Sequence, residues 1–169
     1  MHVITVVSLA LAGSLAAAQN STSPAPAAVD TAHLTVVTSI TDSSGKVALH
    51  VDIAPKPKMH VYAPGEKDAI SVELTLDKNP AIKAGKATFP PAEKYFFPPL
   101  QLTQLVYSNP FRITQPIAIA RAPADGTLTI TGTLRYQACD DAVCYVPKSV
   151  ALKWVVQRPR SQPPAGAHR

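Results

Sequence analysis

The sequence predicts an all-β protein, an immunoglobulin-like antiparallel β-sandwich that carries a hairpin with two cysteines. Three observations predict this class. Seventeen prolines and a charged content of only 16% do not suit a helical bundle. Apolar residues recur at every second position in several segments, which is the period of a strand with one buried face. Turn-forming residues separate these segments.

The N-terminus resembles an export signal. An apolar run from Val3 to Leu15 is followed by small residues, and Ala16-Ala17-Ala18 offers an A-x-A cleavage site. The run is shorter than the roughly 20 residues that span a bilayer. We therefore predict that residues 1–18 are a signal peptide removed near Ala18. The mature protein would be periplasmic or secreted, without stable membrane insertion, in a compartment that permits disulfides.

Composition divides the rest of the chain into three parts. Residues 19–31 are rich in Ser, Pro and Ala without periodicity, which predicts a flexible linker. Residues 158–169 form a Pro-rich basic tail that we expect to be disordered. Residues 32–157 are then predicted to form the folded β-sandwich domain.

Five alternating segments predict the strands of this domain, and short turns join them. About seven to nine strands in roughly 125 residues are typical of an immunoglobulin-like sandwich. Turns are predicted at residues 42–45, 63–65, 77–80 and 125–126, where Gly, Pro, Asn or Asp cluster. The positions predicted to share one face of each strand are Leu34, Val36, Thr38 and Ile40; Val47, Leu49, Val51 and Ile53; Ile70, Val72, Leu74 and Leu76; Leu128, Ile130, Leu134 and Tyr136; and Val150, Leu152, Trp154 and Val156.

One segment, residues 89–101 (FPPAEKYFFPPLQ), does not fit this alternation. Two Phe-Pro-Pro steps bracket its centre, and proline cannot donate a hydrogen bond to a sheet. The sequence predicts a loop here with an unusual number of aromatic rings. These rings either seal one end of the sandwich or form a lid over a reactive group.

Cys139 and Cys144 are the two cysteines of the chain. Predicted strands at 127–138 and 145–156 place them on either side of a hairpin tip formed by residues 140–143. Facing residues at such a tip are close enough for a disulfide. A bridge across so short a loop adds little stability, and an exposed one is a candidate for thiol exchange. A purely structural bridge is compatible with the same spacing.

The sequence offers little for a metal or an organic cofactor, and we expect neither. Zinc needs more ligands than two cysteines, and a copper site built on Met59 and His60 lacks a cluster of further methionines. The C-x-x-C, G-x-S-x-G and H-E-x-x-H motifs are missing. Asp140 and Asp141 should raise the pKa of the neighbouring thiols, which predicts slow exchange that depends on a partner.

The charge of the chain does not predict a nucleic-acid partner. The formal net charge is +5, but the basic residues are dispersed, and no Lys/Arg stripe alternates with aromatic residues. The charge is better explained by solubility.

The hairpin resembles a known active site. The stretch L-R-Y-Q-A-C-D-D-A-V-C-Y-V-P, residues 134–147, is similar to the active-site hairpin of the N-terminal periplasmic domain of DsbD, the thiol:disulfide interchange protein. KMHVYAPG, residues 58–65, is similar to an early aromatic segment of that family, and residues 95–97 fall where the family has a cap loop. The resemblance extends loosely over residues 32–156.

The resemblance implies a protein-disulfide reductase that relays electrons. A thioredoxin-like donor would reduce this domain, which would then reduce periplasmic thiol proteins such as disulfide isomerases and cytochrome c maturation proteins. Cys144 would form the mixed disulfide with partners, and Cys139 would resolve it. Residues implied to shape or cover the site are His60, Tyr62, Tyr95, Phe96, Phe97, Tyr136 and Tyr145.

The sequence departs from the family pattern in two ways. Four residues separate the cysteines, where a well-known form has five. The membrane segment and thioredoxin-like domain of the family are not in this chain, so we expect a monomer whose donor and acceptors are separate chains. A secreted interaction module with a structural hairpin disulfide is the alternative.

Overall fold

The computed structural model describes residues 27–43, 45–67, 69–121, 124 and 126–157. Every strand pairing in it is antiparallel, and the only helix among these residues is a single 3-10 turn, η1 (Pro98–Leu100). The all-β prediction is confirmed. The strands are β1 (Ala27–Asp30), β2 (Leu34–Ser43), β3 (Lys46–Pro55), β4 (His60–Tyr62), β5 (Glu73–Leu76), β6 (Ile82–Ala84), β7 (Glu93–Phe97), β8 (Leu102–Tyr107), β9 (Phe111–Ile119), β10 (Thr127–Tyr136), β11 (Ala138–Cys139) and β12 (Lys148–Gln157).

Two sheets form the body of the sandwich. One has five strands in the order β1-β2-β3-β9-β6, and the other has three in the order β12-β10-β5. The hairpin of β2 and β3 pairs all ten residues of each strand, from Leu34 opposite Pro55 to Ser43 opposite Lys46. Gly45 turns this hairpin with a φ of 80°, a left-handed conformation that glycine adopts without strain.

The alternation in the sequence places the core between these two sheets. The inward residues of β2 and β3 pack in one buried cluster with those of β10 and β12. Each fully buried aliphatic or aromatic side chain of this kind contributes about 1.5–3 kcal/mol. Two hydrogen bonds also join the layers: Trp154 Nε1 donates to the His50 carbonyl at 3.1 Å, and Thr38 Oγ1 donates to the Lys153 carbonyl at 3.0 Å.

A third sheet carries Cys139, which an isolated bridge pairs with Cys144. Its four strands follow the order β11-β4-β8-β7. Strand β10 ends at Tyr136, and β11 begins two residues later at Ala138 but pairs with β4. The cysteine segment is therefore attached to the core by β10 and positioned by the neighbouring small sheet.

The structure corrects the prediction that residues 89–101 form only a loop. Glu93–Phe97 forms strand β7 and pairs with β8, from Glu93 opposite Val106 to Phe97 opposite Leu102. The proline pairs flank these five residues without interrupting them, so their N–H groups remain able to donate. Strand β7 lies at the edge of its sheet, the position at which proline-flanked strands are tolerated.

The cysteine hairpin also differs from the predicted one. Residues 145–147 precede β12 instead of opening it, and Pro147 has no N–H with which to join a ladder. At the other end of the chain, Ala27–Asp30 lies in the segment predicted to be a linker but pairs with Thr35–Thr38 as strand β1. The predicted signal peptide and basic tail, residues 1–18 and 158–169, lie outside the described residues.

Candidate functional site

The two cysteines form a disulfide in which the two sides differ in exposure. Cys139 and Cys144 are bonded to each other, as predicted. Cys139 lies in β11 and is fully buried, whereas Cys144 is exposed. Residues 141–143 of the predicted tip are exposed, but of the two cysteines only Cys144 is. A partner protein would meet the Cys144 side of the bond.

Tyr62 lies beneath this disulfide. Its hydroxyl oxygen is 3.2 Å from the Sγ of Cys139 and 3.2 Å from the Sγ of Cys144. Gln104 Nε2 donates a hydrogen bond of 3.1 Å to the same oxygen. Tyr62 and Gln104 are both buried, and burial raises the pKa of Tyr62, an effect that the Gln104 hydrogen bond partly offsets. Tyr62 is therefore a protonated phenol at neutral pH.

His60 lies directly across the sheet from Cys139. The two residues are register partners in β4 and β11. The imidazole ring stacks on Tyr95 with 4.4 Å between ring centroids, and its buried Nε2 has no hydrogen-bond partner among the described residues. Burial lowers the pKa of His60, while the charges of Asp141 and Asp140 oppose this effect. The site thus holds a neutral imidazole beside the buried cysteine.

The two aspartates between the cysteines are held by hydrogen bonds. Asp140 Oδ1 accepts the backbone N–H groups of Ala142 and Val143, each at 2.8 Å, and Oδ2 accepts the Tyr145 hydroxyl at 2.8 Å. These bonds, the backbone ones first, lower the pKa of Asp140 to about 2. Asp141 Oδ1 accepts the Tyr95 hydroxyl at 2.9 Å. The cysteine loop therefore has a fixed shape and a negative charge at its tip.

Comparison with protein families identifies this arrangement. Residues 25–154 match the model of the N-terminal domain of the thiol:disulfide interchange protein DsbD. The chain belongs to this family. It is accordingly a thiol:disulfide exchange domain, and the resemblance predicted from the hairpin sequence is confirmed.

Two solved structures are similar to this DsbD-type domain, and the first of them supports its fold. The N-terminal periplasmic domain of ScsB from Proteus mirabilis has a TM-score of 0.51 at 13% identity, over 80% of this chain and 50% of that chain. The N-terminal domain of DsbD from Neisseria meningitidis, in the reduced form, has a TM-score of 0.45 at 18% identity, over 73% and 90% of the two chains. The family match and the likeness to the ScsB domain confirm the predicted immunoglobulin-like class. The chain spans half the length of the ScsB structure. No curated protein gives a significant match.

The predicted cap residues of this DsbD-type domain occupy three different environments. Tyr95 packs against a small buried group, here called the cysteine cluster, that consists of Tyr62, Val106 and Cys139. Phe97 is buried, whereas Phe96, which points to the opposite side of β7, is 52% exposed. Among the three rings, Tyr95 is the one that covers the cysteine cluster.

The two remaining predicted residues are also separated. Tyr136 is buried in the main core, and its hydroxyl lies 3.3 Å from that of Thr31. Tyr145 is half-buried and binds Asp140, and its ring packs on His33 with 4.4 Å between centroids. Tyr145 thus supports the cysteine loop, while Tyr136 anchors the strand that leads into it.

Sequence reasoning missed Gln104 and His33. Gln104 is a buried polar residue in the same alternation phase as Val106, which is a signal for a functional or structural hydrogen bond inside a strand. His33 lies far from the cysteines in sequence, and no local pattern relates it to Tyr145. Among the described residues, no group of three His, Cys, Asp or Glu side chains could hold a metal ion.

Proposed function

We propose that this domain relays electrons in the periplasm. It takes them from a thioredoxin-like donor on a separate chain and passes them to exported thiol proteins, among them proteins of cytochrome c maturation. DsbD N-terminal domains act with thioredoxin-like partners. The observation that carries the proposal is the asymmetry of the disulfide, in which Cys144 is exposed and Cys139 is fully buried.

The asymmetry supports a different role for each sulfur. A donor thiolate attacks the exposed Sγ of Cys144, the disulfide breaks, and its electron pair leaves on the Sγ of Cys139. The second thiol of the donor then attacks the donor sulfur of the mixed disulfide. This step forms a disulfide within the donor and releases the Cys144 thiolate. The donor has lost two electrons, and the domain holds two thiols once both thiolates take up protons from water.

The same roles serve the onward reaction. The Cys144 thiolate attacks the disulfide of an acceptor protein, whose S–S bond breaks; one acceptor sulfur leaves as a thiolate and the other forms a mixed disulfide with Cys144. The Cys139 thiolate then attacks Sγ of Cys144 and releases the second acceptor thiolate, and with protons from water the acceptor becomes a dithiol. Two electrons pass to the acceptor, and the Cys139–Cys144 bond forms again.

Single-cysteine variants test these roles. A thioredoxin with one active-site cysteine, activated as a mixed disulfide with thionitrobenzoate, is mixed with Cys139→Ser or Cys144→Ser. We expect Cys139→Ser to release thionitrobenzoate and form a covalent complex, because its remaining thiol is exposed. Cys144→Ser should react slowly or not at all, because Cys139 is buried.

The double variant Cys139→Ser/Cys144→Ser is the control for unspecific release of thionitrobenzoate. Faster trapping through Cys139 than through Cys144 would reverse the assignment. Trapping by neither variant, with the fold intact by circular dichroism, would contradict the relay and favour a structural disulfide.

Export and oligomeric state complete the proposal. The periplasmic location is that of the ScsB domain, and cleavage near Ala18 is inferred from the A-x-A pattern. Within the part of the chain that the structure describes, no helix has the length and apolar character that crossing a bilayer needs. We expect a monomer that lacks residues 1–18, which intact mass and sedimentation of the exported protein would test.

A further inference from the structure

The disulfide imposes a chemical requirement on Cys139. When Cys144 is attacked, the electron pair leaves on the Sγ of Cys139, and this residue has no exposure to solvent. A thiolate formed without water is costly unless a hydrogen-bond donor is already aimed at it. The nearest hydroxyl is that of Tyr62, at 3.2 Å.

The direction of the Tyr62 O–H bond decides whether it meets this requirement. The hydroxyl can rotate, and it donates either to a sulfur or to another acceptor. Neither sulfur carries a hydrogen while the disulfide is intact. In a hydrogen bond with either sulfur the hydroxyl is therefore the donor, and its single hydrogen points to one sulfur or is shared between the two. Gln104 Nε2 donates to the hydroxyl oxygen at 3.1 Å. The hydroxyl hydrogen therefore does not point toward this amide nitrogen and is directed toward the sulfurs.

The geometry points to Gln104 as a positioning residue for thiol exchange: its amide directs the Tyr62 hydroxyl hydrogen toward the sulfurs, so that a donor is ready when the Cys139 thiolate forms. The inference rests on the proposed roles of Cys139 and Cys144. Within the described part of the chain, Gln104 makes no hydrogen bond to either sulfur, and it acts through Tyr62.

A second observation concerns the other end of the same amide. Gln104 is 4% exposed, and its Oε1 has no hydrogen-bond partner among the described residues. A buried carbonyl without a partner destabilises the fold, and an apolar side chain of the same length would avoid this cost. The hydrogen bond to Tyr62 is the interaction that only the amide supplies.

The test measures reduction of the disulfide by dithiothreitol in four variants. Gln104→Met keeps the length of the side chain and removes its donor, and Tyr62→Phe removes the hydroxyl. We expect each to slow reduction by up to about tenfold, since hydrogen bonds to charged groups are stronger than neutral ones. Tyr62→Phe/Gln104→Met should be no slower than Tyr62→Phe alone, because Gln104 acts through the hydroxyl. Gln104→Glu, whose carboxyl can accept the Tyr62 hydrogen, should also slow reduction.

The reduced protein gives a readout that a merely structural role would not change. Titration of thiolate absorbance should show a higher pKa for the Cys139 thiol in Gln104→Met and in Tyr62→Phe than in the parent. The matched control is Gln115→Met, since Gln115 is also a buried glutamine but donates to the Gly85 and Pro116 carbonyls instead. It should change neither the rate nor the thiol pKa.

Additive effects of Tyr62→Phe and Gln104→Met, an unchanged rate in Gln104→Met, or an equal effect of Gln115→Met would each overturn the inference. Faster reduction in Gln104→Met would also overturn it, because the amide would then be drawing the hydroxyl hydrogen away from the sulfurs. These outcomes do not depend on trapping by thioredoxin. Failure of the relay therefore appears in the trapping experiment, and failure of this inference appears in the dithiothreitol rates.

Discussion

The ring of Tyr95 separates the buried cysteine from solvent. It packs against the cysteine cluster, stacks on His60 and donates a hydrogen bond to Asp141. In the reduced protein, we expect iodoacetamide to alkylate Cys144 first and Cys139 slowly. Tyr95→Ala should accelerate alkylation of Cys139 severalfold, because it removes both the cover and the hydrogen bond to the cysteine loop. Mass spectrometry of the alkylated peptides measures both rates.

Phe96→Ala is the matched control for this prediction. Phe96 belongs to the same strand but is 52% exposed and points to the opposite side. Its loss should leave alkylation of Cys139 unchanged. An unchanged rate in Tyr95→Ala, with Cys139 still slow, would show that the ring only fills the core.

Asp140 makes stability depend on pH in the acid range. Its pKa falls from the usual 3.8 to about 2 in the folded state. The unfolded chain therefore binds the proton first as pH falls, so this contribution is complete above pH 3.8 and is lost as pH falls through about 2. The free energy of unfolding of the oxidised protein, measured with denaturant, should decrease in this pH range. The decrease should be smaller in Asp140→Asn. An identical decrease in the variant would contradict the assignment.

His60 makes stability depend on pH in a second range, at higher pH. Its pKa in the folded state lies below the usual 6.5 because the ring is buried. Below pH 6.5 the unfolded chain gains a proton that the folded state takes up only at lower pH, so stability falls as pH falls. His60→Phe keeps a ring against Tyr95 and should flatten part of this decrease. His50, whose pKa burial also lowers, should supply the rest. If His60→Phe leaves the dependence of the free energy of unfolding on pH unchanged, this imidazole does not contribute to it.

Single residues were predictable where chemistry shows in the local sequence. The pairing of Cys139 with Cys144 followed from their spacing across a turn. The contact of Tyr62 with Gln104 joins strands β4 and β8, and the contact of His33 with Tyr145 joins two segments that precede β2 and β12. Alternation gives the face on which Gln104 lies, but the partner of each residue depends on register, sheet order and the placement of connecting segments, which a single sequence does not contain.

At the scale of elements, the close approach of β10 and β5 depends on Gly132. A Cβ atom at this position would lie 2.6 Å from the Thr75 carbonyl oxygen and 3.2 Å from the Leu76 Cα. Gly132→Ala must therefore push β5 away from β10. We expect it to lower the free energy of unfolding by about 1–3 kcal/mol, the usual cost of overpacking. Urea unfolding measures this change.

Thr131→Ala is the comparison for the same strand, because Thr131 is exposed and next to Gly132. It should change stability by no more than about 0.5 kcal/mol. Equal effects of the two substitutions would mean that the loss is due to strand propensity and not to the contact between β10 and β5.

Elements were predictable where apolar alternation is long and uninterrupted, as in β2, β3, β10 and β12. Strand β7 was missed because its flanking prolines are typical of loops, although the five residues between them are free to pair. Strand β4 has only three residues, all buried, and so shows no alternation. The sequence therefore predicted the body of the sandwich better than the small sheet that holds the site.

At the scale of the whole molecule, the sandwich supports a redox pair at its edge. The main core lies between the five-stranded and three-stranded sheets and includes Val61, Tyr107 and Ala138 of the small sheet, to which Cys139 also belongs. Cys144 is exposed, so a partner reaches its sulfur from solvent. The chain spans half the length of the ScsB structure.

The central claim is that the disulfide between Cys139 and Cys144 exchanges with partners and is not a structural bridge. Its reduction potential tests this most directly. The protein is equilibrated in glutathione and dithiothreitol buffers of known potential, and the reduced fraction is counted by alkylation and mass spectrometry. We predict a value above roughly −250 mV, within reach of thioredoxin-like donors. A value below about −300 mV, typical of structural disulfides in secreted proteins, would contradict the claim.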